Sequence, residues 1–121
     1  MGVLLDKSVM FAVRIVKFAK FLEEKHQYTL ARQIMKSGTS IGANLTEAKH
    51  AESQPDFIHK LSIAQKECSE TIYWLTILHK SEIIDDSQHS SLNNDAAELI
   101  KMITASLNTL KKSKSNKFPN L

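Results

Sequence analysis

Glycine, proline and cysteine are scarce: three glycines, two prolines and one cysteine in 121 residues. A single cysteine, Cys68, excludes an internal disulfide and suits a reducing compartment, so a cytoplasmic location is expected. The shortage of glycine and proline removes the usual breakers and leaves room for long, uninterrupted helices. No apolar run approaches the roughly 20 residues that a membrane span needs. The opening stretch MGVLLDKSVMFAVRIVKFAKF is apolar in places, but lysine and arginine recur through it. It has neither a clean apolar block nor a small-residue cleavage site and does not read as a secretory leader. Acidic residues are missing from the C-terminal end, where lysines collect. Residues 1–100 hold eleven lysines and arginines against thirteen acids, whereas residues 101–121 hold Lys101, Lys111, Lys112, Lys114 and Lys117 and no acid. The body is close to neutral and the end is basic.

What is present is helical periodicity, four times over. Phe11, Ile15, Phe18 and Leu22 recur at a 4-3-4 spacing and mark one apolar face of a first helix, expected over about residues 7–25 with Asp6 as its N-cap. Leu30, Ile34, Ile41, Leu45 and Ala48 mark a second, over about 29–51, with Ser37 or Gly38 filling the gap in the stripe. A third, over about 54–80, has Ser53 as N-cap, Pro55 in the first turn where its missing N–H costs nothing, and Asp56 at the positive helix end. Its stripe is Phe57, Leu61, Ala64, Cys68, Ile72, Leu75 and Leu78. The fourth, over about 88–112, follows the turn-and-cap cluster DDSQHSS and carries Leu92, Ala96, Leu99, Ile103, Leu107 and Leu110. Residues 113–121, polar and lysine-rich, read as a flexible tail. Short links between helices of similar length force antiparallel neighbours. The expected fold is therefore all-α: one antiparallel up-down-up-down four-helix bundle over residues 1–112.

The segment KSGTSIGANLTEAK holds Gly38 and Gly42, four residues apart. A phosphate-cradling loop would need lysine and serine or threonine after its last glycine, yet Ala43 and Asn44 follow Gly42. The apolar stripe runs through positions 34, 41 and 45 without a change of phase, so the segment reads as helix. Each interior glycine costs about 1 kcal/mol relative to alanine, and close approach of another helix is the natural compensation. That partner is another helix of the bundle or another subunit; Gly38, Gly42, Ala43 and Trp74 are the candidate packing or oligomer positions.

Other constellations point to chemistry only weakly. Glu47/His50, Asp56/His59 and Asp86/His89 have the E-x-x-H-type spacing of di-metal bundles, but those need further glutamates facing the core; solvated surface residues are the simpler reading, and no metal or cofactor is expected. No serine or histidine pattern suggests a nucleophile with its base, and Cys68 on a core stripe reads as an inert buried thiol. The sequon Asn44-Leu45-Thr46 falls within a helix and reads as chance. Ser40, Asn44 and Glu47 form a polar strip beside the apolar face of the second helix, where Arg14 and Glu70 are expected to join them in a register-fixing polar network. Tyr73 and Trp74 are adjacent and must point to different faces; which one is exposed stays open.

Three stretches, LDKSVMFAVRIVKFAKFLEEK, SGTSIGANLTEAKHAESQPDFIHKLSIAQKE and ETIYWLTILHKSEII, carry a resemblance to the four-helix-bundle family named after the 23S ribosomal RNA intervening-sequence protein. The likeness spans about residues 5 to 110. Members resemble in fold and assembly the accessory variability determinant of diversity-generating retroelements, a pentameric barrel that binds nucleic acid and a reverse transcriptase. The resemblance implies a homo-oligomer, with a pentamer the first expectation, and neither a cofactor nor a catalytic residue set. Together with the basic end, it favours a non-enzymatic module that binds structured RNA or an RNA–protein assembly through Lys101, Lys111, Lys112, Lys114 and Lys117. The near-neutral body and small-residue face support the alternative, a protein-interaction scaffold that does not touch nucleic acid. Little in the chain favours an enzyme acting on a small molecule.

Overall fold

The computed structural model describes residues 1–117, with side chains described through Lys112. It holds four helices: α1 (Gly2–Glu24), α2 (Tyr28–Lys49), α3 (Gln54–Lys80) and α4 (Asp86–Lys117). Paired positions set their directions. Gly38 lies against Ile15 and Gly42 against Ser8, so α2 runs opposite to α1. Ser37 meets Thr71 while Glu47 meets Lys60; Cys68 meets Ala96 while Gln65 meets Thr104. Each successive pair is thus antiparallel. The ring closes with α4 beside α1, where Arg14 faces Ser91 and Asp95 and Lys7 faces Glu98. Helices α1 and α3, and likewise α2 and α4, stand on the diagonals. The fold is an antiparallel four-helix bundle, and none of its helices is long and apolar enough to cross a membrane.

The periodic residues fill the centre. Phe11, Ile15, Leu22, Ile34, Ile41, Leu45, Leu61, Ala64, Cys68, Leu75, Leu78, Leu92, Ala96, Leu99, Ile103 and Leu107 are all buried. Leu30, Phe57, Ile72 and Leu110 only flank this core, because each stands near a helix end or at the edge of its stripe. Burying such side chains contributes about 1.5–3 kcal/mol each before entropy is counted. A polar bridge crosses the core between α2 and α3: the hydroxyls of Ser37 and Thr71 are 2.9 Å apart, and Thr71 also reaches the carbonyl of Glu67 at 2.8 Å. A buried hydroxyl pair satisfied in this way fixes the register of α2 against α3.

Helix ends depart from the sequence reading in two places. Asp6 is not an N-cap: α1 starts at Gly2 and runs through it, with no side chain capping its first turn. Leu4 explains the earlier start, since it is 4% exposed and joins the core one turn before Ser8; burial outweighs the missing cap. At the other end, α4 continues past residue 112 to Lys117, so residues 113–117 are helical rather than tail; residues 118–121 lie outside the described residues. The third helix starts as its sequence indicates, with Ser53 Oγ accepting from the N–H of Asp56 at 3.2 Å and Pro55 in the first turn. α4 has a reciprocal cap, in which Asp85 Oδ1 accepts from the Gln88 N–H at 2.8 Å and Gln88 Oε1 from the Asp85 N–H at 2.9 Å. His26 and Glu82 take left-handed backbone angles, φ 62° and 61°, to turn the chain after α1 and α3.

Candidate interaction surfaces

Both glycines of the small-residue segment lie within unbroken α-helix at negative φ. Their closeness serves the chain itself. A Cβ on Gly38 would sit 2.8 Å from Ile15 Cγ2 and 2.9 Å from Ile15 Cγ1; one on Gly42 would sit 3.0 Å from Ser8 Oγ. Gly38 and Gly42 therefore let α1 and α2 touch, and neither is free for another subunit. Ala43, on the outer side, is exposed. Trp74 packs its ring against the core edge and stacks edge-on with Tyr73 at 5.0 Å. Its indole Nε1 is buried without a hydrogen-bond partner. Tyr73, 55% exposed, is the outward member of the pair.

The expected polar network does not assemble. Arg14 stands on the flank of α1 that faces α4, not α2. Its guanidinium donates to Ser91 Oγ at 2.6 Å and pairs with Asp95. Ser40 and Asn44 are satisfied along their own helix, Ser40 Oγ donating to the Lys36 carbonyl at 2.6 Å and Asn44 Nδ2 to the Ser40 carbonyl at 2.8 Å. Glu47 takes an ion pair with Lys60 at 3.0 Å. Glu70 lies beside Glu67, whose carboxyl is held above its ordinary range, first by burial and then by the charge of Glu70. The i, i+3 pairs separate too: Glu47 is engaged by Lys60, Asp56 by the cap of α3, and Asp86 by His79. Among the described residues no three histidines, cysteines or acids converge into a metal-holding group.

Cys68 is fully buried, and its Sγ donates to the Ala96 carbonyl at 3.2 Å. Burial pushes its thiol up to about 12, far from the thiolate range that reactivity needs. An aromatic disulfide reagent at neutral pH should leave Cys68 unmodified in the folded protein and modify it fully in denaturant. Fast modification of the native chain would contradict the packing described.

The surface missed by the sequence reading is on α1. Val9 and Val13 are 53% and 50% exposed, and Leu5, Ala12 and Val16 lie partly buried beside them. At i, i+4, i+7, i+8 and i+11 these five make a second apolar stripe containing no charge, beside the core stripe of the same helix; Leu5 packs against the core edge while Val9 and Val13 face outward. A helix apolar on two sides is the available signal. The basic residues lie elsewhere. Lys101 and Lys112, three turns apart on α4, are exposed on its outer side, as is Lys111. Lys114 and Lys117 belong to the last helical turns, beyond the described side chains. Pairing of Arg14 with Ser91 and Asp95 and of Lys7 with Glu98 sets the start of α1 opposite about residue 103 of α4. The turns bearing Lys111 and Lys112 thus extend past the end of α1.

These features define a helical bundle with an unpartnered apolar flank and a basic helix end. The chain belongs to the 23S rRNA-intervening sequence protein family, whose model matches residues 3–105. It is also similar to a crystal structure of a protein of unknown function from the S23 ribosomal protein family of Bacteroides thetaiotaomicron VPI-5482. The two share 48% identity and superpose with a TM-score of 0.85, over 86% of this chain and 97% of that one. No curated protein matches the chain.

Proposed function

We propose that the protein is a non-enzymatic, cytoplasmic homo-oligomer that binds structured RNA or an RNA–protein assembly. The observation that carries self-association is the charge-free stripe of Leu5, Val9, Ala12, Val13 and Val16. A solvated helix flank is ordinarily charged, and an apolar one that the chain does not cover marks an interaction surface. A pentamer, the arrangement the family resemblance suggests, brings five basic helix ends into one assembly. Each lysine alone is a screened point charge, but linked copies gain from effective concentration. The family context favours RNA as the polyanion.

A scaffold that meets only protein is the second reading. It is favoured by the near balance of charge over residues 1–100, eleven lysines and arginines against thirteen acids, within which Lys7, Arg14 and Lys60 pair with Glu98, Asp95 and Glu47. A salt series separates the two. If RNA is the ligand, affinity for a structured RNA falls linearly on a log–log plot, by about 0.7–0.9 per phosphate neutralised. Replacing Lys101, Lys111, Lys112, Lys114 and Lys117 by glutamine flattens that slope. No RNA binding at low salt puts the scaffold first. Equal binding and slope in the glutamine variant moves the contact away from α4.

A further inference from the structure

The corner between α3 and α4 holds two imidazoles face to face. His79, in the last turn of α3, and His89, one turn into α4, stack with ring centroids 4.2 Å apart and planes 7° from parallel. His79 Nε2 lies 2.6 Å from Asp86 Oδ1. The rest of the corner is tied down. Ile84 is 3% exposed and anchors the connection in the core, Glu82 turns it through a left-handed angle, and the Asp85–Gln88 cap fixes the first turn of α4. The stack is the joint that sets two protonatable rings against each other.

We propose that this corner is a proton-operated latch: the stack of His79 and His89 holds it shut while the pair carries at most one positive charge, and opens it when both rings are protonated. The geometry enforces the condition. Two cationic rings at this separation repel each other, and of the carboxylates at the corner, Glu82, Asp85 and Asp86, only Asp86 pairs with a ring. Asp86 contacts His79 alone, so a charge on His89 has no partner of its own. His89 also stands near the positive end of α4, where a cation is disfavoured. The charged groups around the open depression beside the stack, of ≈ 640 Å³, are Lys25 from the end of α1, Lys80 of α3, and Glu82, Asp85 and Asp86; α2 contributes none to its lining.

His89 is held below its ordinary 6.5, first by burial and then by the charge of His79, with Asp86 opposing. The folded corner therefore binds fewer protons at His89 than an opened one. Closure is complete above 6.5 and is lost as pH falls through the lowered value. Opening bares Ile83 and Ile84 and enlarges the depression they line.

Imidazole titrations by NMR on the full chain test this, with amide protection factors measured over the first turns of α4 near neutral pH and at about pH 5. In the unmodified protein, His89 should titrate below 6.5, and protection should drop on acidification by on the order of tenfold for each pH unit that His89 is depressed. His79→Gln should raise the His89 titration toward its ordinary value. His89→Phe keeps a flat ring on His79 but takes no proton, and should hold its protection at acid pH. The latch is overturned if His89 titrates at its ordinary value in the unmodified protein. It is also overturned if His79→Gln leaves that titration unmoved, or if His89→Phe loosens in acid as the unmodified protein does.

Discussion

Replacing Gly38 by alanine should lower the stability of the bundle by about 1–3 kcal/mol, the usual cost of overpacking, although alanine is by itself worth about 1 kcal/mol more than glycine in a helix interior. The added Cβ would meet Cγ1, Cγ2 and Cβ of Ile15 at 2.8–3.2 Å. None of those atoms is the free end of a flexible side chain, and Ile15 is fully buried. Relief requires α1 to move as a body, disturbing Phe11 and Leu22 with it. Gly38→Leu should be worse still. Gly42→Ala is the milder comparison: its closest neighbour is the buried Ser8 hydroxyl at 3.0 Å, which donates to the Leu5 carbonyl at 2.6 Å; that group need shift only slightly, so the net loss there should be smaller than at Gly38. Urea midpoints at one protein concentration measure both. A Gly38→Ala chain as stable as Gly42→Ala would end the argument for close approach. In a double-mutant cycle with Ile15→Ala, the two losses should fall short of additive, since removing both γ-carbons of Ile15 makes room for the new methyl.

The second large effect concerns assembly. Val13→Glu, or Val9→Glu, places a charge in the middle of the outer stripe of α1. Both positions are half exposed in the single chain, so the bundle itself should tolerate the change within about 0.5 kcal/mol. Buried between subunits, the same carboxylate would be an unpaired charge, which costs several kcal/mol. The expected result is unchanged helicity by circular dichroism with a fall in mass, by light scattering or sedimentation, to that of one chain. An assembly of undiminished mass would move the contact off this flank. A single-chain mass in the unmodified protein at micromolar concentration would remove self-association altogether.

The sequence carried the bundle well because the signal is redundant. Each helix repeats its apolar residue several times, and a misread end barely alters the phase. The ends were read less well where no side chain marks them. Asp6 has the chemistry of a cap but lies inside α1, and the left-handed turns at His26 and Glu82 use no glycine. Flanks are a harder problem. Periodicity shows which way a helix faces the core, but not which neighbour lies to its left and which to its right. That depends on whether the bundle turns left or right, and it decides that Arg14 meets Asp95 on α4 rather than Asn44 on α2. The outer stripe of α1 was hidden for a related reason. Val9 and Val13 are ordinary residues in an apolar helix until burial shows that the core does not use them.

The ring order of the helices has a kinetic consequence. Three of the four contacts in the ring join helices that follow one another in sequence, and only α1 against α4 joins distant parts of the chain. That last contact is also the thinnest of the four, closed at its rim by Arg14 with Asp95 and Lys7 with Glu98. Topologies dominated by nearby contacts have low contact order and fold fast. The three hairpins can form in succession, each on the helix before it, while the α1–α4 seam contributes little until the rest is in place. Substitutions at the seam should therefore accelerate unfolding and leave the folding rate almost untouched.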